Sequence, residues 1–508
     1  MAVNGSRFRH LKKIGLVLGP SLFLATILLT PSDDALPFGA VVVLAATLWM
    51  ATWWITEAIP IYVTALLPLA IFPLLGVTDI RETSASYADP IVFLFLGGFL
   101  IAKAIEKTGL HKRFALTMLR IFGTRPKYIV AAFMIVTGFM SAWMSNTATT
   151  LLMLPIAVAV ISQFSNSPIL NARKKEMFAT CLLLSIAYSA SLGGVATLIG
   201  TPPNAIFASL AQSLADVEVN FTQWMFVAMP ISAVSLFVVW WYLTNFGAKV
   251  TDIPSLTEEK DQIESELAKL GRMAKNEKVM MAVFAATATA WISRGLVWKD
   301  ALPMVDDSMI AIAAALSLFI IRVPKVKQRL ESQIDTSNDF DMTSNNDADA
   351  LLDWKTAVKI PWGVLILIGG GLALANGFAS TQLDDWIAGQ LMFLGQTPHL
   401  IIIIFAIVAV TVFSGEIISN TATAALFIPI TASLAVSLGI PPVYLMAPVA
   451  VATSYSFIIP ISTPPNAIVF STGHVTAAKM ARAGLPLALI GVGIVTLLTS
   501  VLVPLIWG

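Results

Sequence analysis

Apolar residues fall along this chain in long runs parted by short polar segments. Each run is near the ~20 residues a helix needs to cross a hydrocarbon core. Runs at about 14–30, 38–56, 60–77, 89–107, 177–197, 222–246, 278–296, 306–323, 360–382, 443–460 and 483–507 predict spanning helices. Two further apolar stretches, 128–160 and 400–437, each carry a polar segment near the middle. Each predicts a re-entrant hairpin, because irregular backbone at membrane depth is tolerated only inside protein or beside an aqueous cavity. The predicted fold class is an all-α polytopic membrane protein with about 11 transmembrane helices plus two re-entrant hairpins. Two segments predict interfacial helices: 109–123, with Lys112, Arg113 and Arg120 against Leu110, Phe114 and Leu119, and 384–395, with Asp384-Asp385 ahead of Trp386, Ile387, Leu391 and Phe393. The stretch 331–352 is polar and predicts a linker.

Composition agrees with the pattern. Of 508 residues 57% are hydrophobic and only 12% charged, with a mean hydropathy of +0.81; soluble domains are nearer ~25% charged. A formal net charge of +1 and the lack of a basic face exclude a nucleic-acid partner. The one cysteine, Cys181, forms no internal disulfide. The first apolar run follows a basic start but lacks a small-residue cleavage site, so no cleavable signal peptide is expected. With eleven spans and two re-entrant hairpins the N-terminus falls inside. The basic clusters around Arg7/Arg9/Lys12/Lys13, Lys112–Lys127, Arg173–Lys175, Lys269–Lys278 and Lys325/Lys327/Arg329 then all face the cytoplasm. Of 31 Lys and Arg only Arg81, Arg294 and Lys299 fall outside, a strong positive-inside bias.

The polar breaks repeat. Ser145-Asn146-Thr147-Ala148-Thr149 recurs as Ser419-Asn420-Thr421-Ala422-Thr423, and Thr201-Pro202-Pro203-Asn204-Ala205-Ile206 as Thr463-Pro464-Pro465-Asn466-Ala467-Ile468. Order is kept, with offsets of 274 residues (146 to 420) and 262 (201 to 463). Such a repeat predicts two halves facing one site. A hairpin tip leaves helix-end groups unpaired. Carbonyls at the end of the first arm suit a cation, and N–H groups at the start of the second suit an anion. Ser141 and Ser145, four apart, share a helix face. Gly193-Gly194 and the double proline predict a discontinuous span, 177–197 then 205–213. No Lys or Arg lies in the four segments, so a dianion bound there is expected to need a co-bound cation to offset its desolvation.

With these motifs in hand, the chain resembles the divalent anion:sodium symporter family nearly end to end. Thr56-Glu57-Ala58-Ile59-Pro60, Val63-Thr64-Ala65-Leu66-Leu67-Pro68, Gly97-Gly98, and Trp362-Gly363 ahead of Gly369-Gly370-Gly371 also look like that family. The resemblance implies a homodimer in the plasma (inner) membrane, with an inverted repeat divided into a fixed scaffold and an elevator-type transport domain. Scaffold would lie in 1–125 and 251–398, and the transport domain in 126–250 and 399–508, the latter holding broken helices at 177–213 and 443–477. Carboxylates of the substrate would meet Asn146, Thr147, Thr201, Pro202, Asn420, Thr421, Thr463 and Pro464. One sodium site would use Ser141, Ser145, Asn146 and Gly194; the second would use Gly415, Ile418, Asn420 and Ser462. Gly415, the mirror of Ser141, departs from the pattern by lacking a side-chain oxygen, which puts the second sodium site in doubt. Glu416 is read as facing solvent or adding charge there, and Glu57 as an intramembrane carboxylate or a span-end cap.

The expected function is sodium-coupled transport of C4-dicarboxylates such as succinate, malate or fumarate, with Na+ as coupling ion and no organic cofactor. The alternatives are a sodium-independent dicarboxylate exchanger and a sodium-coupled citrate or sulfate carrier. An intramembrane enzyme needs a nucleophile with a base or a metal cluster, and His10, His111, His399 and His474 are scattered near span ends. A channel is disfavoured because paired breaks point to alternating access.

Overall fold

The computed structural model describes the chain except residues 1, 34–35, 122–124, 167–169, 248–249, 251–252, 254–258, 325–347 and 392–398. The Lys325/Lys327/Arg329 cluster, most of the polar 331–352 linker, the ends of both interfacial segments, the boundary at 398 and the side chains of Arg7 and Arg9 lie outside the described residues.

Among the described residues ten helices are long and apolar enough to cross a membrane. Eight coincide with predicted spans, including Phe38–Thr56, Pro90–Thr108, Phe221–Tyr242 and Trp362–Thr381. The other two, Asn146–Asn166 and Asn420–Ser437, follow the SNT breaks. Three predicted spans are shorter than read. The 60–77 run divides into Ile61–Thr64 and Leu67–Leu74, since Pro68 has no N–H to continue the ladder. The 306–323 run forms Asp307–Ile320, capped by Asp306. The 443–460 run stops at Ala452, ahead of a serine-rich segment.

Each half holds a helix pair and a broken helix. The first pair is Pro126–Ser141 and Asn146–Asn166, followed by Ala172–Gly194 and Pro202–Ala215. The second pair is Leu400–Gly415 and Asn420–Ser437, followed by Val443–Ala452 and Pro464–Ser471. The halves interlock crosswise. The helix from Pro202 packs on the helix from Asn420, and the helix from Pro464 packs on the helix from Asn146. Each TPPN segment therefore rests on the other half's SNT segment, which carries all four breaks into one region.

Around this unit, Leu110–Ile121 lies amphipathically as predicted, with Leu110, Leu116 and Leu119 buried and Lys112 and Arg120 exposed. Arg113 secures it by pairing with Glu277 at 2.8 Å and donating to the Gly271 carbonyl at 2.9 Å. Leu383–Leu391 packs on the helix from Asn420. Two short antiparallel strands, Arg322–Pro324 and Ala348–Ala350, pair Val323 with Asp349.

Candidate functional site

The local chemistry of each break exposes helix N-termini. Ser145 Oγ accepts from the Ala148 N–H and Ser419 Oγ from the Ala422 N–H, both at 3.3 Å. These serines cap the following helices and leave the N–H groups of Asn146–Thr147 and Asn420–Thr421 as orphan first-turn donors. Thr201 and Thr463 precede the other two helices, whose first residues are prolines with no N–H to strand.

The four N-termini meet at one cavity of about 480 Å³. Asn146, Thr147, Thr201, Pro202, Asn420, Thr421, Thr463 and Pro464 all line it, so the structure brings together every residue expected to meet substrate. The two helix N-termini that keep their first-turn N–H groups, at Asn146 and Asn420, carry roughly half a positive charge each without any side chain. Helix starts of this kind suit an anion.

Behind the N-termini lie helix C-termini and crowded oxygens. Ser141 Oγ sits 2.7 Å from Asn146 Oδ1 and 2.6 Å from the Ala190 carbonyl oxygen. A hydroxyl has one proton to donate, and two oxygens compete for it here. Gly194 abuts the same cluster: a Cβ there would stand 2.4 Å from Asn146 Oδ1. In the second half Asn420 Oδ1, Ser454 Oγ and Ser456 Oγ are buried without a hydrogen-bond partner. A Cβ on Gly415 would stand 2.8 Å from Ser456 Oγ. The repeat equates Ser456 with Gly194 and Gly415 with Ser141. The oxygen absent from Gly415 is thus present across the gap, and the Ser–Gly pair is inverted between halves. Ser462 lines the cavity, but its hydroxyl donates to the Ile459 carbonyl at 2.8 Å and accepts from Asn466 Nδ2 at 3.2 Å. Ser456 is the position that mirrors Gly194.

Two asparagines outside the expected site hold the breaks open. Asn204 Nδ2 donates toward the carbonyls of Gly194, Val195 and Thr197 at 3.0, 3.3 and 2.7 Å. Asn466 Nδ2 does the same to Ser456 and Ile459 at 3.1 and 3.3 Å. Their presence in both TPPN copies was the available signal. Glu416 is buried, not solvent-facing: its carboxylate accepts from the N–H groups of Phe457, Ile458 and Ile459 at 2.7, 2.9 and 2.9 Å. Its mirror is Ala142. There Val195 and Ala196 bond back into the preceding turn, to the Leu192 and Gly193 carbonyls. Glu57 is exposed, ends its helix with φ of 47° and pairs with Lys12 at 3.6 Å, which makes it a span-end cap. Basic side chains do reach the cavity: Lys103 and Lys359 line it from elements distant in sequence.

Interlocked broken helices that meet at one cavity within a spanning bundle define a membrane transporter rather than an enzyme. The profile of the sodium:sulfate symporter transmembrane region matches residues 12–507. The chain is 40% identical over 500 residues to the sodium-dependent dicarboxylate transporter SdcS of Staphylococcus saprophyticus, covering 97% of this chain and 92% of that one. It is 39% identical over 499 residues to SdcS of Staphylococcus aureus strain USA300, with the same coverage. In fold alone it is similar to the YdaH transporter of Alcanivorax borkumensis, with a TM-score of 0.55, 14% identity, and coverage of 91% of this chain and 99% of that one. MtrF of Neisseria gonorrhoeae gives a TM-score of 0.51 and 13% identity, with 83% of each chain covered. The chain belongs to the sodium:sulfate symporter family, the divalent anion:sodium symporters.

Proposed function

We propose that this chain carries C4-dicarboxylates such as succinate, malate and fumarate together with sodium, by elevator-type alternating access. The single observation that supports this best is the meeting of both SNT and both TPP segments at one cavity. One carboxylate lies over Asn146 and Thr147 and the other over Asn420 and Thr421, with Thr201, Pro202, Thr463 and Pro464 beside them. Sodium takes the oxygens of Ser141, Ser145, Asn146 and Gly194 in one half. In the other it takes those of Gly415, Ile418, Asn420 and Ser462, with the Ser456 hydroxyl, opposite Gly415, added to them. The cations offset the cost of desolvating a dianion that the helix ends only partly meet. Residues 126–250 and 399–508 form the moving part and 1–125 and 251–398 the fixed part of a homodimer, with its N-terminus cytoplasmic in the inner membrane. The names of the SdcS relatives, sodium-dependent dicarboxylate transporters, support the substrate class and the coupling ion.

The missing side-chain oxygen of Gly415 favours sodium-independent exchange, whereas the unpartnered Ser456 hydroxyl opposite it supports sodium coupling. The test is uptake of labelled succinate into proteoliposomes with an inward sodium gradient or equimolar potassium, with and without internal dicarboxylate, and with citrate and sulfate as competitors. Accumulation only under the sodium gradient is expected. Exchange without sodium, or stronger competition by citrate or sulfate than by malate, overturns the assignment.

A further inference from the structure

The wall of the cavity that faces the repeated motifs includes Tyr62, Phe99, Lys103, Glu106 and Lys359. Three lysines lie in this neighbourhood, and two are already neutralised. Lys103 pairs with Glu106 at 2.5 Å. Lys107, one turn further along the Pro90–Thr108 helix, pairs with Asp353 at 2.6 Å and Asp349 at 3.4 Å and donates to the Ala350 carbonyl at 2.9 Å. Lys359 is exposed and has no ion-pair partner among the described residues. Among the residues that line the cavity, Lys103 and Glu106 cancel and Lys359 supplies the remaining charge, while the cluster behind them, one lysine against Asp349 and Asp353, carries one net negative charge.

The backbone that carries Lys359 is fixed at both ends. Upstream, Asp353 caps the Trp354–Ala357 helix by accepting from the Thr356 N–H at 2.8 Å, while Lys107 ties it to the neighbouring span. Downstream, Ile360 is buried and Pro361 leads into the Trp362–Thr381 helix. Burial pushes the Asp353 carboxyl up, but hydrogen bonds from Lys107 and Thr356 outweigh it and hold the group at about 2. A depressed folded-state value means the clamp is intact above the ordinary carboxylate range and is lost only as pH falls toward about 2. Near neutral pH the position of Lys359 therefore does not vary with pH through this clamp.

We propose that Lys359 is a specificity-determining residue of the anion site: an unpaired cation that draws in the substrate's charge and favours dianions over monoanions. This rests on the anion-carrier reading given above but not on which dianion is carried. The helix ends opposite act at short range on each carboxylate, whereas a full charge on an open wall acts through space on the sum of both. Its energy doubles from monoanion to dianion, and salt screens it.

The test uses the full-length protein in proteoliposomes at fixed sodium, with KM measured for succinate, for its monomethyl ester and for sulfate. Ionic strength is set at about 0.01 M, where the screening length is ~30 Å, and at about 0.15 M, where it is ~8 Å. Lys359→Gln is expected to raise the KM of both dianions about fivefold at low ionic strength, and that of the monoester only about twofold. The difference should shrink at the higher ionic strength, with kcat and the sodium half-saturation unchanged. Lys359→Arg should keep wild-type values, and Lys355→Gln, an exposed lysine on the preceding helix that does not line the cavity, should have no effect. An active wild type with the same KM in Lys359→Gln overturns the inference. So does a loss of equal size in Lys359→Gln and Lys359→Arg at both ionic strengths, which marks a structural defect. If the wild type transports sulfate but not succinate, the dicarboxylate assignment fails while the Lys359 comparison stands on sulfate.

Discussion

The inverted Ser–Gly pair makes a quantitative prediction about sodium. Ser456→Ala deletes a buried, unpartnered hydroxyl oxygen and leaves the fold's apolar packing intact. A hydrogen-bonding group given to a charge is worth about 1.5–3 kcal/mol. At 1.4 kcal/mol per factor of ten, the sodium half-saturation concentration should rise roughly 10- to 100-fold, with the Hill coefficient falling toward one. Gly415→Ser alone should be equally impaired, because its Cβ would stand 2.8 Å from Ser456 Oγ and one of the two must shift. The double variant Gly415→Ser/Ser456→Gly moves the oxygen to the side it occupies in the first half, where Ser141 faces Gly194. It should recover to within about threefold of wild type, a strong favourable coupling between two sites in contact. The assay is succinate uptake against sodium concentration, with size-exclusion profiles and sodium-free thermal shifts as folding controls. Wild-type sodium dependence in Ser456→Ala would refute the reasoning, as would a double variant no better than the worse single one.

Other residues separate binding from architecture. Asn146→Ala and Asn420→Ala should each abolish uptake while melting within a few degrees of wild type, since both line the cavity at helix starts. Asn204→Ala and Asn466→Ala should abolish uptake and also lower stability by about 2–3 kcal/mol each, because several carbonyls lose a buried donor; a thermal-shift series distinguishes the two classes. Glu416→Gln replaces an acceptor for three N–H groups with an amide that has one acceptor oxygen, at a cost of about 3 kcal/mol. A melting temperature unchanged in that variant would show that the Phe457–Ile459 segment is held by something else.

The spans were legible because burial in lipid writes itself into local composition, and the breaks because proline and polar residues interrupt those runs. The 60–77 run misled for the converse reason: Pro68 sits in apolar company, and hydropathy does not register a missing N–H. Within the site, the residues at the helix starts could be named from the sequence because the repeated motifs mark the breaks, and the structure brings them to one cavity. What escaped depended on contacts between distant segments. Glu416 looks solvent-bound at the end of its own helix and is buried where the Phe457–Ile459 segment folds over it. Ser456 looks unremarkable until it faces Gly415, and Lys359 lies 61 residues from Asn420, on an element with no motif.

Each broken helix is held by an asparagine that lies within ten residues of the carbonyls it binds. A break of this kind is a self-contained cassette. A duplicated copy brings this brace with it, and the second copy adds Glu416 from a neighbouring helix. Afterwards the copies are free to drift at the positions that only touch across segments, which is where they now differ: Ser141 and Gly194 in one, Gly415 and Ser456 in the other. The two copies thus share the brace that shapes the break while differing at the oxygens that face one another across it.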